Sequence, residues 1–205
     1  MGVAAALDGV LDVAFPLAGT QLPRDHAWPL AQALSGQLAW LAADPQVGIH
    51  PVKVVAGYGA RGWLSQRARL LIRVPGARVA ELAPLSGRWL DVAGCVLRLG
   101  EPKPRDLVPH STLYAHLVAA ESDDETVFVA AVASTLSALE IDAHVVCGGR
   151  QQIGAPGRAI SGFSLMLHGL TPDDSLRMQR AGLGPQRLLG CGVFVPHRSA
   201  AAVGA

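Results

Sequence analysis

The glycine spacing near the C-terminus constrains this chain more than any other feature. In Gly182-Leu183-Gly184-Pro185-Gln186-Arg187-Leu188-Leu189-Gly190-Cys191-Gly192, two Gly-apolar-Gly units are separated by five residues, and the apolar run Val193-Phe194-Val195 follows. Glycine tolerates positive φ and lets a backbone approach a ligand closely. Bare amides in such a loop suit a phosphate chain, and Arg187 adds charge. The order excludes two common loops. A dinucleotide fingerprint follows a strand and opens a helix; here the glycines follow a helix-like stretch and precede a strand-like one. A Walker loop needs Gly-Lys-Ser/Thr, which is missing.

The segments around the loop show a repeated element order. Residues 11–17 alternate as a half-buried strand. Asp25 reads as the cap of a helix over 26–43, with Leu30, Leu34, Leu38 and Leu41 on one side. Gly57, Gly59 and Gly62 break the chain before strands at 63–65 and 68–74. Pro75-Gly76 opens a short helix to residue 85, and a hairpin turns at Ala93-Gly94 between 89–92 and 95–99. The order is β-α-β-β-α-β. After a Pro-rich connector at 103–109 it recurs. A strand spans 111–120, and Asp123 or Asp124 caps a helix over 125–139. Strands span 143–147 and 160–167 across a turn-rich loop at 148–157. A helix starts at Pro172, and the last strand spans 192–196. The fold class is therefore α+β, with two tandem ferredoxin-like (RRM-like) units, 1–103 and 108–198, the second holding the glycine-rich loop. Residues 199–205 form a loose tail.

Half of the 205 residues are hydrophobic, enough for well-buried cores. No apolar run reaches the ~18 residues of a membrane span, and residues 1–10 carry Asp8 without a basic leader, so no membrane partner or signal peptide is expected. Three dispersed cysteines (Cys95, Cys147, Cys191) read as small buried hydrophobes of a reducing cytoplasm, and no Cys/His spacing suggests a metal or other cofactor.

The formal net charge of +1 conceals a strong asymmetry. Between Lys53 and Arg105 there are ten basic residues against three acidic ones, and between Ala119 and Asp142 six acidic residues and no basic ones. Only Lys53 and Lys103 are lysines; the other basic residues are arginines, whose planar fork suits phosphates and bases. A focused RNA surface fits this pattern better than indiscriminate binding. Arg61, Arg67, Arg69 and Arg73 in the basic block and Arg150 and Arg158 in the second unit are its candidate contacts. Alternation would put Arg67 and Arg69 on one strand face. The acidic helix at 125–139 should face away from RNA.

Taken together, the element order and several segments resemble one family over nearly the whole chain. These are Val47-Gly48-Ile49-His50-Pro51, Ser65-Gln66-Arg67-Ala68-Arg69-Leu70, Leu99-Gly100-Glu101-Pro102 with Val108-Pro109-His110, the glycine loop, and Gly192-Val193-Phe194-Val195-Pro196. The family is that of the CRISPR repeat-processing endoribonucleases. The resemblance implies metal-free cleavage of CRISPR repeat RNA by attack of a 2′-hydroxyl on the adjacent phosphate, leaving a 2′,3′-cyclic phosphate. It also implies retention of the product and association with other subunits of an interference complex. It points to a histidine in the first helix or the loop after it, where His26 and His50 stand; His50 is preferred, with Lys53, or Arg67 and Arg69, on the phosphate. Relatives with an assisting tyrosine carry it on the first helix, but no tyrosine precedes Tyr58, so Ser35 and Tyr58 are the candidate partners. Tyr114, between His110 and His116, and the loop residues Gly182, Gly184, Arg187, Gly190 and Gly192 complete the expected RNA contacts. Trp63 is the best placed tryptophan for stacking on a base. Two other readings are a non-catalytic RNA-binding subunit of an interference complex and an enzyme that holds a nucleotide in the glycine loop.

Overall fold

The computed structural model describes residues 9–197 apart from 56 and 58. The expected tail and Tyr58 lie outside the described residues. The chain divides between Asp106 and Leu107 into two compact units.

In the first unit β1 (Val10–Ala18) is the central strand. Its alternation sends Leu11, Val13, Phe15 and Leu17 into the core, all with at most 7% exposure. A small ribbon of β2 (Gln21–Pro23) and β4 (Arg61–Trp63) lies apart from the main sheet. Helix α1 (Ala27–Gln37) buries Leu30, Ala31 and Leu34. It is shorter than the sequence suggests. Ser35-Gly36 weakens it, Leu38 turns extended, and a separate turn, α2 (Trp40–Ala43), brings Leu41 to zero exposure. The cap also differs, because His26 rather than Asp25 occupies the N-cap position and makes no side-chain cap bond.

Strand β3 (Gly48–Ile49) pairs with β5 (Arg69–Pro75), and β5 pairs with β1. The segment Gly76–Leu85 forms 3-10 turns that bury Leu82 and Leu85. The hairpin β6 (Trp89–Val92) and β7 (Cys95–Leu99) turns at Ala93-Gly94, both at positive φ, as the right-handed twist of a two-residue hairpin demands. The sheet order is β3-β5-β1-β7-β6. The expected connector is not all loop, since Lys103–Asp106 forms β8 on the same side of β1 as β7. Strand β8 pairs with β1 alone, which explains how it accommodates Pro104.

The second unit follows the ferredoxin-like order more regularly, with sheet order β10-β11-β9-β12. Strand β9 (Thr112–Ala119) leads to α3 (Glu125–Ala138), whose N-cap Asp124 accepts hydrogen bonds from the amides of Thr126 and Val127. Phe128, Val132 and Leu136, spaced at i, i+4 and i+8, join a core with Leu113, Leu165, Met178 and Phe194. The expected loop at 148–157 is instead mostly strand: β10 (His144–Ala155) and β11 (Arg158–His168) form one long hairpin that turns at Pro156-Gly157. Helix α4 (Pro172–Ala181) begins at Thr171, whose Oγ1 accepts from the Asp174 amide and donates to its carboxylate. The last strand, β12 (Val195–Pro196), is shorter than expected. All three cysteines are free, and burial pushes the Cys191 thiol up to about 12. Among the described residues no helix is long and apolar enough to cross a membrane.

Candidate functional site

The registry of β1 against β5 sets Asp12 opposite Arg73, and β3 delivers His50 to the same neighbourhood. Arg73 donates from Nε to Asp12 Oδ1 at 2.8 Å and from Nη2 to Oδ2 at 3.0 Å, a bidentate pair. His50 Nε2 lies 3.1 Å from Asp12 Oδ1, and its backbone amide donates to the Leu71 carbonyl. Burial on its own would raise the Asp12 pKa. The hydrogen bonds and charges of His50 and Arg73 outweigh it and hold the carboxyl well below the usual carboxylate range. The result is an ionised carboxylate that orients an imidazole through Nε2, the arrangement that fixes tautomer and ring angle in acid–base sites. The ring is only 5% exposed. Asp12 carried no signal in the sequence, where it reads as the outward position of an alternating strand.

His26 sits differently. Its Nδ1 lies 2.8 Å from the Pro23 carbonyl, and its Nε2 accepts from the Val52 amide at 3.0 Å. This pairing requires the proton on Nδ1. Burial lowers the pKa of the ring, and the bond to the Pro23 carbonyl opposes the shift without cancelling it. His26 therefore bolts the β2–α1 corner to the loop after β3, with both nitrogens engaged. Lys53 is exposed on that loop. The Ser35 hydroxyl is buried without a hydrogen-bond partner.

The expected RNA residues separate into three groups. Arg61, Arg67, Arg69 and Arg158 are exposed, as is Arg150, which pairs with Asp123. That pair brings an acid of the 121–125 run beside a candidate contact. Arg67 precedes β5 in the turn Ser65–Ala68, where its amide bonds to the Ser65 hydroxyl, so strand alternation does not align it with Arg69. Arg73 is fully buried on Asp12 and belongs to the interior. Tyr114 is half-buried, with its hydroxyl 3.5 Å from His116 Nδ1 and its ring 5.5 Å from His197. His110 bonds instead to the Thr112 backbone.

The glycine segment is shaped by contacts within its own unit. Helix α4 ends at Gly182 with φ +66, and Arg187 Nη1 donates to the last helical carbonyls, those of Arg180 and Ala181. Nη1 of Arg187 is thus engaged by the helix end. The Gly192 amide bonds to the Leu117 carbonyl, and a Cβ at Gly192 would stand 1.8 Å from the Leu183 oxygen. A Cβ at Gly182 would come within 2.8 Å of the Gly192 oxygen. Gly190 is buried at φ +86. Gly184 is exposed at φ +73, and a Cβ there would make only ordinary contacts, the nearest at 3.6 Å, unlike one at Gly182 or Gly192. Among the described residues no three His, Cys, Asp or Glu side chains group closely enough to hold a metal ion.

Two split β-α-β units in tandem, a basic first unit and a buried His–Asp–Arg cluster define a tandem ferredoxin-like protein. The family model described as Cas6 Crispr matches residues 11–199. A CRISPR-associated endonuclease Cas6 from Myxococcus xanthus (strain DK1622) is 38% identical over 194 residues, 94% of this chain and 84% of that protein. The chain belongs to the Cas6 family. Among solved structures, a CRISPR associated protein Cas6 superposes with a TM-score of 0.65 at 12% identity, over 92% of this chain and all of the other. A Cas6-related protein from Pyrococcus furiosus gives 0.59 at 10% identity, over 93% of this chain and all of that one. A RAMP protein binding different RNA substrates gives 0.61 at 11% identity, over 92% of this chain and all of that one. These structures share the fold.

Proposed function

We propose that this chain is an endoribonuclease that cuts CRISPR repeat RNA without a metal ion and keeps hold of its product. The observation that carries the reading is the 38% identity, over 94% of the chain, to a protein named as a CRISPR-associated endonuclease. In this mechanism a base takes the 2′-hydroxyl proton, the 2′-oxygen bonds to phosphorus, and the bond from phosphorus to the 5′-oxygen breaks. An acid protonates the leaving oxygen, giving a 2′,3′-cyclic phosphate and a 5′-hydroxyl. His50 is the proposed acid–base residue, with Asp12, bonded to its Nε2, as its positioning partner. Lys53, Arg67 and Arg69, all exposed, are the proposed phosphate contacts.

A second reading is a non-catalytic RNA-binding subunit of an interference complex. It draws on one observation: His50 is nearly buried, and both His26 nitrogens are engaged. The test is single-turnover incubation of repeat RNA with the wild-type chain in EDTA, with analysis of the product ends. Cleavage to a cyclic phosphate and a 5′-hydroxyl is expected. Tight binding with intact RNA decides for the non-catalytic subunit. Arg67→Ala and Arg69→Ala should each flatten the salt dependence of binding by roughly one unit of slope.

A further inference from the structure

The hairpin β6–β7 turns a tryptophan outward on a rigid ladder. Leu90, Val92, Cys95 and Leu97 point inward and are at most 5% exposed, whereas Trp89 is 62% exposed and Val96 55%. Trp89 stands directly opposite Arg98 in the register, and the Arg98 guanidinium lies 5.9 Å from the indole centroid. Hydrogen bonds from the Gly87 amide to the Leu99 carbonyl and from the Leu99 amide to the Arg88 carbonyl fix the base of the hairpin. Trp89 is therefore held by the pairing of the edge strand β6 with β7.

Two further features adjoin the hairpin, one at its turn and one at its base. The Arg61 guanidinium reaches the hairpin turn, with Nη2 3.9 Å from where a Cβ on Gly94 would stand. From the same strand as Arg61, Trp63 is 46% exposed. Beside Arg98 an open cleft of about 370 Å³ runs between the end of β1 and the start of the hairpin, lined by Ala18, Ser86, Gly87, Gly100 and Glu101. Two acids share the area. The Asp91 carboxylate accepts from the Gly94 amide at 2.6 Å, and Glu101 faces the cleft. Glu101 repels a phosphate there and leaves the cleft to a base.

We propose that this face of the first unit is a stacking site for unpaired RNA bases, with Trp89 as the platform and Arg98 and Arg61 as contacts to the flanking phosphates. Exposed indole flanked by arginines is the chemistry of sequence-tolerant single-strand binding, since every base offers a π-face and every linkage a charge. The same tryptophan would serve a protein partner, but the arginines of the basic block favour an anionic strand. The inference rests on the RNA-processing reading and adds to it a hold on single-stranded RNA away from the His50 cluster.

The test measures binding of a fluorescein-labelled oligoadenylate by anisotropy for wild type, Trp89→Ala, Trp89→Phe and Arg98→Ala. Trp89→Ala should weaken binding by about tenfold, the value of one lost stack, and Trp89→Phe should retain most of it. Arg98→Ala should weaken binding and lower the salt slope by about one. Retained affinity in Trp89→Ala overturns the proposal, as does a variant whose self-association in sedimentation changes while its RNA affinity does not. Should Trp89→Ala fail to fold, wild type crosslinked to an oligonucleotide carrying 4-thiouridine must yield adducts within residues 86–100, and adducts only elsewhere overturn the site. Repeat cleavage, measured in parallel, separates the two readings. Trp89-dependent binding without any cleavage removes the nuclease reading and leaves the platform. Cleavage with Trp89-independent oligonucleotide binding removes the platform alone.

Discussion

The equivalent strand pairs of the two units carry opposite chemistry at one position of the fold. In the first unit β1 and β5 set Asp12 against Arg73, with His50 from the neighbouring strand on the same carboxylate. In the second, β9 and β11 set Tyr114 against Met166, with Val146 of β10 next in register. Each trio lies on the sheet face opposite its unit's apolar core. The first unit therefore depends on a charge cluster that must stay complete, and the second on adaptable apolar contacts. A split β-α-β topology specifies neither arrangement. The buried charge cluster lies in the first unit.

The largest effect expected from breaking that contrast is in Asp12→Ala. It leaves Arg73, with no exposed surface, without its bidentate carboxylate. Removing one partner of a buried pair costs about 3–5 kcal/mol, readable as a lowered denaturation midpoint. Asp123→Ala, which removes the exposed partner of Arg150 in the second unit, should cost under about 1 kcal/mol. Similar losses in the two variants would remove the distinction between the units.

Next in size is Gly192→Ala. A Cβ there meets a carbonyl oxygen at 1.8 Å, and φ is +63. The backbone must shift, at a cost of about 2–4 kcal/mol. Gly184→Ala makes only ordinary contacts, the nearest at 3.6 Å, and carries only the left-handed strain, about 1–2 kcal/mol. Thermal melts of the two variants separate a loop shaped by its own packing from one kept open for a ligand. If Gly184→Ala melts like wild type yet loses repeat binding, the ligand role gains.

His26→Ala sharpens the comparison within the first unit. It removes two hydrogen bonds, worth about 1–3 kcal/mol including the Val52 amide left unpaired. The sign of the pH dependence follows from its lowered pKa. The unfolded chain binds the proton near 6.5 and the folded chain only at lower pH. The His26 contribution is thus fully present above pH 6.5 and is lost as pH falls through the folded pKa. The lowered Asp12 pKa places its own loss below 3.8, far from that window. Denaturation midpoints measured from pH 7.5 downward should fall more steeply for wild type than for His26→Ala.

What the sequence made legible was local. The Ala93-Gly94 turn, the Asp124 cap and the Pro172 helix start each follow from residues within a few positions of the feature they create. What it concealed was set by pairing at a distance. Lys-Pro-Arg-Asp at 103–106 reads as connector because only the edge of β1 makes it a strand. Gly-Gly-Arg-Gln-Gln at 148–152 lacks alternation and is held as strand by β11. Arg73 reads as a phosphate contact until the register places Asp12 across from it. His50 is preferred over His26 by position alone, and their partners then separate them: Asp12 for His50, the Pro23 carbonyl and Val52 amide for His26. Trp89 reads as core because nothing local marks its strand face as the outward one.

The most direct test of the account is single-turnover cleavage of repeat RNA in EDTA by wild type, His50→Ala and His26→Ala, with RNA affinity measured on the same preparations. Loss of a positioned acid or base should lower the His50→Ala rate by about 10²–10⁴ while affinity stays close to wild type; His26→Ala should cut at a rate much nearer wild type once its folded fraction is counted. Cleavage lost in His26→Ala and retained in His50→Ala would contradict the assignment of the chemistry to the Asp12-bound histidine.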